Sequence, residues 1–423
     1  MNPKKCPQCG QANEASAADC RRCGRDLAPR SPAPHQASTT RPRKKRWGLI
    51  QLAVTVGPRM IGLAARYPAA ALVISAGMLP PLVLAFIMWW VIDAREREPA
   101  RWAIRAFTWG VVATFIAGPL NGVCAAWLTP HLPALPPQQL ASVFVAPVVE
   151  ESLKAFCVLF VFLRYPRQFD GVVDGIVYAT LTGLGFELAE NVFYHLDAFA
   201  SGGLPRLEQV AFVRVVIFAA GHAMITTFTG VGVGLASLSR DRWKKFALVS
   251  TGLCLAISMH GLHNFLLGIQ PRYPGLAIPL AVGLAWCGNC LWLLVVGFAI
   301  RAEARWIRGE LAEEVKQGTL RPEDAVAAGG VIARIRRNVG VYPLRGHHTR
   351  WERALLWRLD GLAARLAVAK HRLREAPEDR ELQGQVTEYR TRCRQLTRRL
   401  GADGRGGLHE AAPAETGEIQ PAR

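Results

Sequence analysis

An all-α polytopic membrane protein, built as a bundle of seven or eight transmembrane helices, is the fold class that this 423-residue sequence predicts. Three observations predict it. The stretch from Pro68 to Ile300 carries apolar runs too long and too poor in charge for a soluble core. Two CxxC knuckles near the start read as a small zinc ribbon, and two heptad stripes near the end read as a helical hairpin. The composition, 51% hydrophobic and 20% charged, excludes a disordered or fibrous chain.

Along the chain, residues 1–28 form the ribbon. Cys6 and Cys9 pair with Cys20 and Cys23 across ten intervening residues, each knuckle followed by a glycine, Gly10 or Gly24. Four thiolates at that spacing close a tetrahedral structural zinc site, and in so short a module the metal supplies most of the folding energy. Residues 29–47 are a Pro/Ser/Ala linker ending in the basic cluster Arg41–Trp47, a juxtamembrane stop beside anionic lipid. No apolar segment of signal-peptide type occurs in the first 45 residues. The net charge is +10 over residues 1–67, +2 over 68–300 and +7 over 301–423, so the basic excess belongs to the ends. Topology and lipid contact account for that excess, and no nucleic-acid partner is expected.

Seven segments are long and apolar enough to cross: 69–92, 103–128, 139–163, 172–196, 209–238, 247–268 and 276–300. Basic residues fall in alternate loops: ten of them (Arg95 to Arg105, Arg164, Arg167 and Arg240 to Lys245) against Arg206 and Arg272 on the other side. Seven crossings would part the two basic ends, so residues 48–66, interrupted by Pro58 and Arg59, are the candidate eighth span; an interfacial amphipathic helix is the alternative. Eight spans place both termini in the cytoplasm and the protein in a bacterial-type inner membrane. After Ile300, residues 301–400 form a cytoplasmic helical tail. The stripes Leu355, Leu359, Leu362, Leu366, Ala369, Leu373 and Leu382, Val386, Tyr389, Cys393, Leu396, Leu400 flank Pro377 as an antiparallel hairpin, with solvated or lipid-apposed Arg-rich faces. Residues 401–423 read as disordered.

Ionisable groups near a bilayer midplane cost at least about 2.5–3.5 kcal/mol each, so they occur where a function or partner compensates. Four consecutive spans carry them: Glu150, Glu151 and Lys154; Glu187, Glu190 and Asn191; Arg214 and His222; His260, His263 and Asn264. The spans before and after lack such groups. Glu150 with Lys154, and His260 with Asn264, are i,i+4 pairs, so each helix offers one polar stripe. Converging stripes make a pocket equipped to activate water toward a peptide carbonyl: a carboxylate as base, imidazoles or a metal to hold the water, His or Asn for the oxyanion. At 1.5 Å per residue the groups lie about 6–20 Å in from the outer ends, between midplane and outer leaflet. A non-catalytic receptor or scaffold using the same pocket for a ligand is the alternative function class. The absence of an inverted repeat argues against a transporter.

The sequence Pro147-Val-Val-Glu150-Glu151-Ser-Leu-Lys154 resembles the EExxK motif of the PrsW family of intramembrane proteases, relatives of the CAAX-prenyl endopeptidases and Abi proteins. Asp174-Gly175-Ile-Val-Tyr178, Gly185-Phe186-Glu-Leu-Ala-Glu190-Asn191, Arg214, Gly221-His222 and His260-Gly-Leu-His263-Asn264 are similar to its further motifs, in the family's order over about residues 70–300. The loop Asp93–Pro99 is similar to its acidic-basic loop. The resemblance implies proteolysis of a membrane-anchored, single-span substrate, as in first-site cleavage of an anti-sigma factor. It implies Glu150 as the water-activating base, Glu151 as its partner, and Lys154 as the cation that keeps a glutamate ionised. It implies Glu190, His222, His260 and Asn264 as ligands or oxyanion-side groups, with Glu190, His222 and His260 as the candidate set for a catalytic zinc. A metal-dependent and a glutamate mechanism both stay open. His263 beside His260, and Asn264 where some members have Asp, depart from the family pattern. Cys287 and Cys290 read as packing inside the last span. The ribbon and tail are candidate docking sites for a regulatory protein.

Overall fold

Long apolar runs with few helix breakers become helices, and the computed structural model is almost wholly helical. It describes residues 4–6, 10–14, 20, 47–89, 100–165, 169, 171–239, 241–330, 333, 334, 337, 350–375 and 377–403. Two short strands, β1 (Lys4–Lys5) and β2 (Ala12–Asn13), pair antiparallel. The helices are α1 (Trp47–Arg66), α2 (Pro68–Gly77), α3 (Leu79–Ile87), α4 (Ala100–Leu128), α5 (Ala146–Arg164), α6 (Val172–Phe212), α7 (Gly221–Ser237), α8 (Arg242–Ile269), α9 (Pro274–Lys316), α10 (Pro322–Gly329), α11 (Arg350–Glu375) and α12 (Arg380–Asp403). Turns of π-helix at Leu140–Val145 and Val213–Ile217 lead toward α5 and α7. The chain divides into two units, one of Arg30–Ile307 with Gly329–Ile332, the other of Met1–Pro29, Arg308–Ala328 and Ala333–Arg423.

Among the described residues, five helical stretches are long and apolar enough to cross a membrane: Pro68–Ile87, Ala100–His131, Val172–Ser237, Arg242–Ile269 and Pro274–Lys316. Val172–Ser237 contains both crossings expected at 172–196 and 209–238. The segment expected at 139–163 is helical as well, and its ionisable Glu150, Glu151 and Lys154 separate it from that apolar class. The candidate eighth crossing is α1, helical through Pro58 and with Arg59 exposed.

Two breaks differ from the sequence expectation. A loop is expected at 197–208, yet the chain stays helical there except at Gly202 and Gly203. Gly203 has φ +64°, a conformation open to a residue without Cβ, and Pro205 restarts the helix just after it. The expected single span 209–238 is interrupted between Ile217 and Gly221, where Ala220 takes a left-handed φ of +60°.

Glycines set the register of α6 on its neighbours. A Cβ added at Gly175 would lie 2.1 Å from the Gly230 carbonyl oxygen, and one at Gly183 would lie 2.7 Å from that of His222. These pairings run α6 and α7 antiparallel at backbone contact. On the other side, Gly110 of α4 meets Thr182, and Phe115 packs edge-on against Phe193 at 5.3 Å, so α4 and α6 run parallel, as alternating crossings require. Tyr178, Ile176, Val177 and Leu184 of α6 are fully buried at the centre of the core.

In the second unit the heptad stripes face inward: Leu355, Leu359, Leu362, Leu366 and Ala369 of α11, and Val386, Cys393 and Leu396 of α12, are buried. The basic residues there are not all solvated. Asp324 binds Arg321 and Arg337, Arg337 also reaches Asp360, and Glu314 accepts from Lys370 at 3.0 Å and Arg390 at 2.7 Å. Opposite charges 76 residues apart close this cage, so Arg337, Lys370 and Arg390 act as internal cross-links. In the segment expected to be a ribbon, Cys6 and Cys20 are buried, Gly10 turns at φ +71°, and the Asn13 side chain donates to Cys20 Sγ at 3.6 Å. Cys9, Cys23, most of the basic linker, the Asp93–Pro99 loop and residues 404–423 lie outside the described residues.

Candidate active site

Glu150, Glu151 and Lys154 stand on the first turns of α5, which enters through the π-turn and Pro147. Offsets of three and four residues place Glu151 and Glu150 beside Lys154 on one helix face. All three are buried, Glu151 and Lys154 completely. The Lys154 ammonium donates to Glu151 Oε1 at 2.7 Å, stands 3.9 Å from Glu150 Oε2 and sits over the Phe186 ring at 3.9 Å. So deep a cation and anion persist because each supplies the other's missing solvation.

His222 is the second residue of α7, and the Gly183 contact brings that turn against α6. Its Nδ1 lies 3.0 Å from Lys154 Nζ and its Nε2 lies 2.8 Å from Glu190 Oε2. An ammonium has only protons to offer, so Nδ1 is the acceptor and Nε2–H donates to Glu190: a neutral imidazole of fixed tautomer. Glu190 also accepts from Arg214 at 2.5 Å, and Arg214 Nε donates to Asn191 at 2.7 Å. Arg214 lies over the Tyr194 ring at 4.0 Å.

From α8, His260 Nδ1 meets Glu151 Oε1 at 3.0 Å, which makes Nδ1 the donor and leaves the Nε2 lone pair directed away from that carboxylate. That Nε2 is 3.8 Å from Glu150 Oε2. Among the described residues Oε2 has no hydrogen-bond partner, although it is buried. The two acceptors are spaced for one water molecule to donate to both.

Asn264 shares the stripe of His260, but its side-chain amide donates to the Ser142 carbonyl at 2.8 Å, tying α8 to the first π-turn. The structure therefore gathers Glu150, Glu151, Lys154, Glu190, His222 and His260 around one centre and turns the Asn264 amide to its rim. His263 packs edge-on against Phe218 at 4.9 Å. Two further contributors are absent from the sequence reading of the pocket. Asn121 of α4 donates to Glu150 Oε1 at 3.2 Å, and Thr226 of α7 donates to Glu151 Oε2 at 3.0 Å. Glu187, one of the ionisable groups of its span in the sequence, accepts the Ala220 backbone N–H at 3.0 Å and so holds the break before His222.

Glu150, His222 and His260 offer ligand atoms that all lie within 4.8 Å of one another, and the unpartnered Glu150 oxygen and the His260 lone pair fit a divalent metal. His222 would exchange one of its two hydrogen bonds to join them. Glu190, a candidate ligand from sequence, is held instead by Arg214 and His222.

Known proteins resemble this arrangement's sequence. A family model described as PrsW family intramembrane metalloprotease matches residues 98–297. Protease PrsW of Bacillus subtilis (strain 168) is 29% identical over 220 residues, 51% of this chain and 92% of that protein. Protease PrsW of Geobacillus kaustophilus (strain HTA426) is 30% identical over 201 residues, 47% of this chain and 81% of that protein. No solved structure matches.

Proposed function

Because this chain belongs to the PrsW family of intramembrane proteases, an integral membrane enzyme, we propose that it hydrolyses a peptide bond of a membrane-anchored, single-span protein using water activated by Glu150. The observation that carries this reading is the buried Glu150 Oε2, without a hydrogen-bond partner among the described residues, facing His260 Nε2 across 3.8 Å. A water donating to both atoms turns its lone pairs toward a substrate carbonyl. Glu150 takes one proton as the oxygen–carbon bond forms, and later returns it to the leaving nitrogen as the carbon–nitrogen bond breaks.

Glu151 fixes the His260 tautomer that accepts from water, and Thr226 fixes Glu151. Lys154 supplies the positive charge toward which the oxyanion develops, in surroundings where charge is weakly screened. Glu190, with Arg214 behind it, keeps the His222 N–H occupied and the ring upright between α6 and Lys154. A metal ion held by Glu150, His222 and His260 would take the lone pairs that otherwise receive the water and would supply Lewis-acid polarisation in their place. The Asn264 bond to Ser142 makes that residue a support of the rim in this reading.

The charge of the loops supports cytoplasmic ends in a bacterial-type inner membrane, with the scissile bond toward the outer leaflet. The Gly10 turn and the Asn13 bond to Cys20 Sγ support a structural zinc on Cys6, Cys9, Cys20 and Cys23, with ribbon and tail as regulatory docking modules.

The test is turnover in proteoliposomes. Wild-type, Glu150→Gln and His222→Ala proteins are offered a panel of end-labelled single-span peptides, and cleavage is read on gels. Cutting by the wild type alone supports the reading; equal cutting by all three, or none by the wild type across the panel, refutes it.

A further inference from the structure

A carboxylate has two oxygens, and the reaction proposed above uses one of them. Glu150 Oε1 accepts from Asn121 Nδ2 at 3.2 Å, while Oε2 faces His260 Nε2 at 3.8 Å and Lys154 Nζ at 3.9 Å. Asn121 belongs to α4, two residues beyond Pro119, in a helix with no Asp, Glu, Lys, Arg or His between Arg105 and its end at Leu128. Its Oδ1 is buried, and among the described residues that atom has no hydrogen-bond partner. A carboxamide in such a helix is expensive to insert. Here it makes a single side-chain hydrogen bond among the described residues, to Glu150.

We infer that Asn121 is a positioning residue for the hydrolysis, selecting Oε2 of Glu150 as the reacting oxygen; this inference rests on Glu150 being the base. The alternative orientation is close at hand. Lys154 Nζ is already bonded to Glu151 and His222, and a modest rotation of the Glu150 carboxylate would close the 3.9 Å gap to Nζ and make a direct ion pair. A lone pair on Oε2 occupied by an ammonium proton no longer accepts one from water. Asn121 opposes that rotation by holding the distal oxygen from the other side of the carboxylate. No bond is made or broken at Asn121 itself.

The experiment measures kcat and KM separately for wild-type, Asn121→Ala, Asn121→Asp, Asn121→Gln and Glu150→Gln proteins in proteoliposomes. The probe is one end-labelled single-span peptide from the panel that the wild type cuts, and thermal unfolding in detergent is followed in parallel. Losing the donor lowers kcat about 10- to 100-fold with KM within about twofold, since misplacing a reacting group by an ångström costs up to that much. Asn121→Asp keeps the volume but replaces the donor with an acceptor, so its kcat falls as far as that of the alanine variant or further. Asn121→Gln keeps an N–H one methylene farther out and recovers part of kcat. A packing role gives the opposite order, with the isosteric aspartate milder than alanine. The inference is overturned if Asn121→Asp outperforms Asn121→Ala, or if Asn121→Ala turns over like the wild type while Glu150→Gln is dead. Full activity of Glu150→Gln would instead remove the base assignment beneath it.

Discussion

Replacing Lys154 by methionine removes a fully buried ammonium while nearly preserving its volume, and it leaves Glu151, also fully buried, without its strongest counter-charge. The lost contacts are the 2.7 Å bond to Glu151, the 3.0 Å bond to His222 and the 3.9 Å approach to the Phe186 ring. Stripping one partner from a buried ion pair costs about 3–5 kcal/mol, mostly the burden of the remaining charge. Glu151 keeps donors in His260 and Thr226, each at 3.0 Å, which argues for the lower half of that range. Neutralising the acid as well removes the burden: a glutamine at 151 accepts from His260 through its one carbonyl oxygen, and its NH2 group donates to the Thr226 hydroxyl, which can turn to accept. Lys154→Met with Glu151→Gln is therefore less destabilised than Lys154→Met alone, by about 1–3 kcal/mol. Denaturant titration of the detergent-solubilised proteins measures the full double-mutant cycle. If the two single effects simply add, the buried pair is not the unit described here, and the site's rigidity has another source.

Other perturbations follow from the same geometry. Gly183→Ala places a methyl 2.7 Å from the His222 carbonyl oxygen and 2.8 Å from Ala223 Cα, so α7 must move; thermal unfolding should show a loss of about 1–3 kcal/mol, and turnover should fall with it. Ala220→Gly relieves a left-handed φ that costs about 1–2 kcal/mol and gives up a buried methyl that contributes about 0.8 kcal/mol, so a net gain of roughly 0.5 kcal/mol is expected; a lower midpoint would contradict the assigned backbone. In the tail, burial pushes the Cys393 thiol up to about 12, so it resists alkylation at pH 8 until the unit unfolds. The folded state then holds a proton that the unfolded state releases from about pH 9 upward. Stability should drop there by up to about 1.4 kcal/mol per pH unit, and Cys393→Ala should lack that component.

Much of the fold and pocket was legible in the sequence. Charged groups in apolar helices are costly enough to stand out, so Glu150, Glu151, Lys154, Glu190, His222 and His260 could be picked by composition and ordered by helical spacing. Uncharged partners carry no such signal. Asn121 sits in a span that reads as featureless, and Thr226 resembles any helical threonine, because a lone amide or hydroxyl adds little to a hydropathy profile. Asn264 shows the limit of stripe reasoning: sharing a helix face with His260 fixes its side, while the π-turn carbonyl at Ser142 fixes what it touches. The break at Ala220 was invisible because a left-handed alanine leaves no mark in sequence; Glu187, its brace, sits 33 residues earlier. The tail's ion-pair cage stayed hidden for the same reason, since sequence shows charges and not their distant partners.

Counting formal charges over the hydrogen-bonded cluster gives a further consequence. Glu150, Glu151 and Glu190 contribute three negatives, Lys154 and Arg214 two positives, and the His222 tautomer none. The deficit of one falls on the oxygen of Glu150 that has no hydrogen-bond partner among the described residues. Inside a hydrocarbon slab such an imbalance acts as an appetite for a single cationic visitor, whether hydron or metal. The place where such a visitor would be drawn is the gap of 3.8 Å between that oxygen and His260 Nε2.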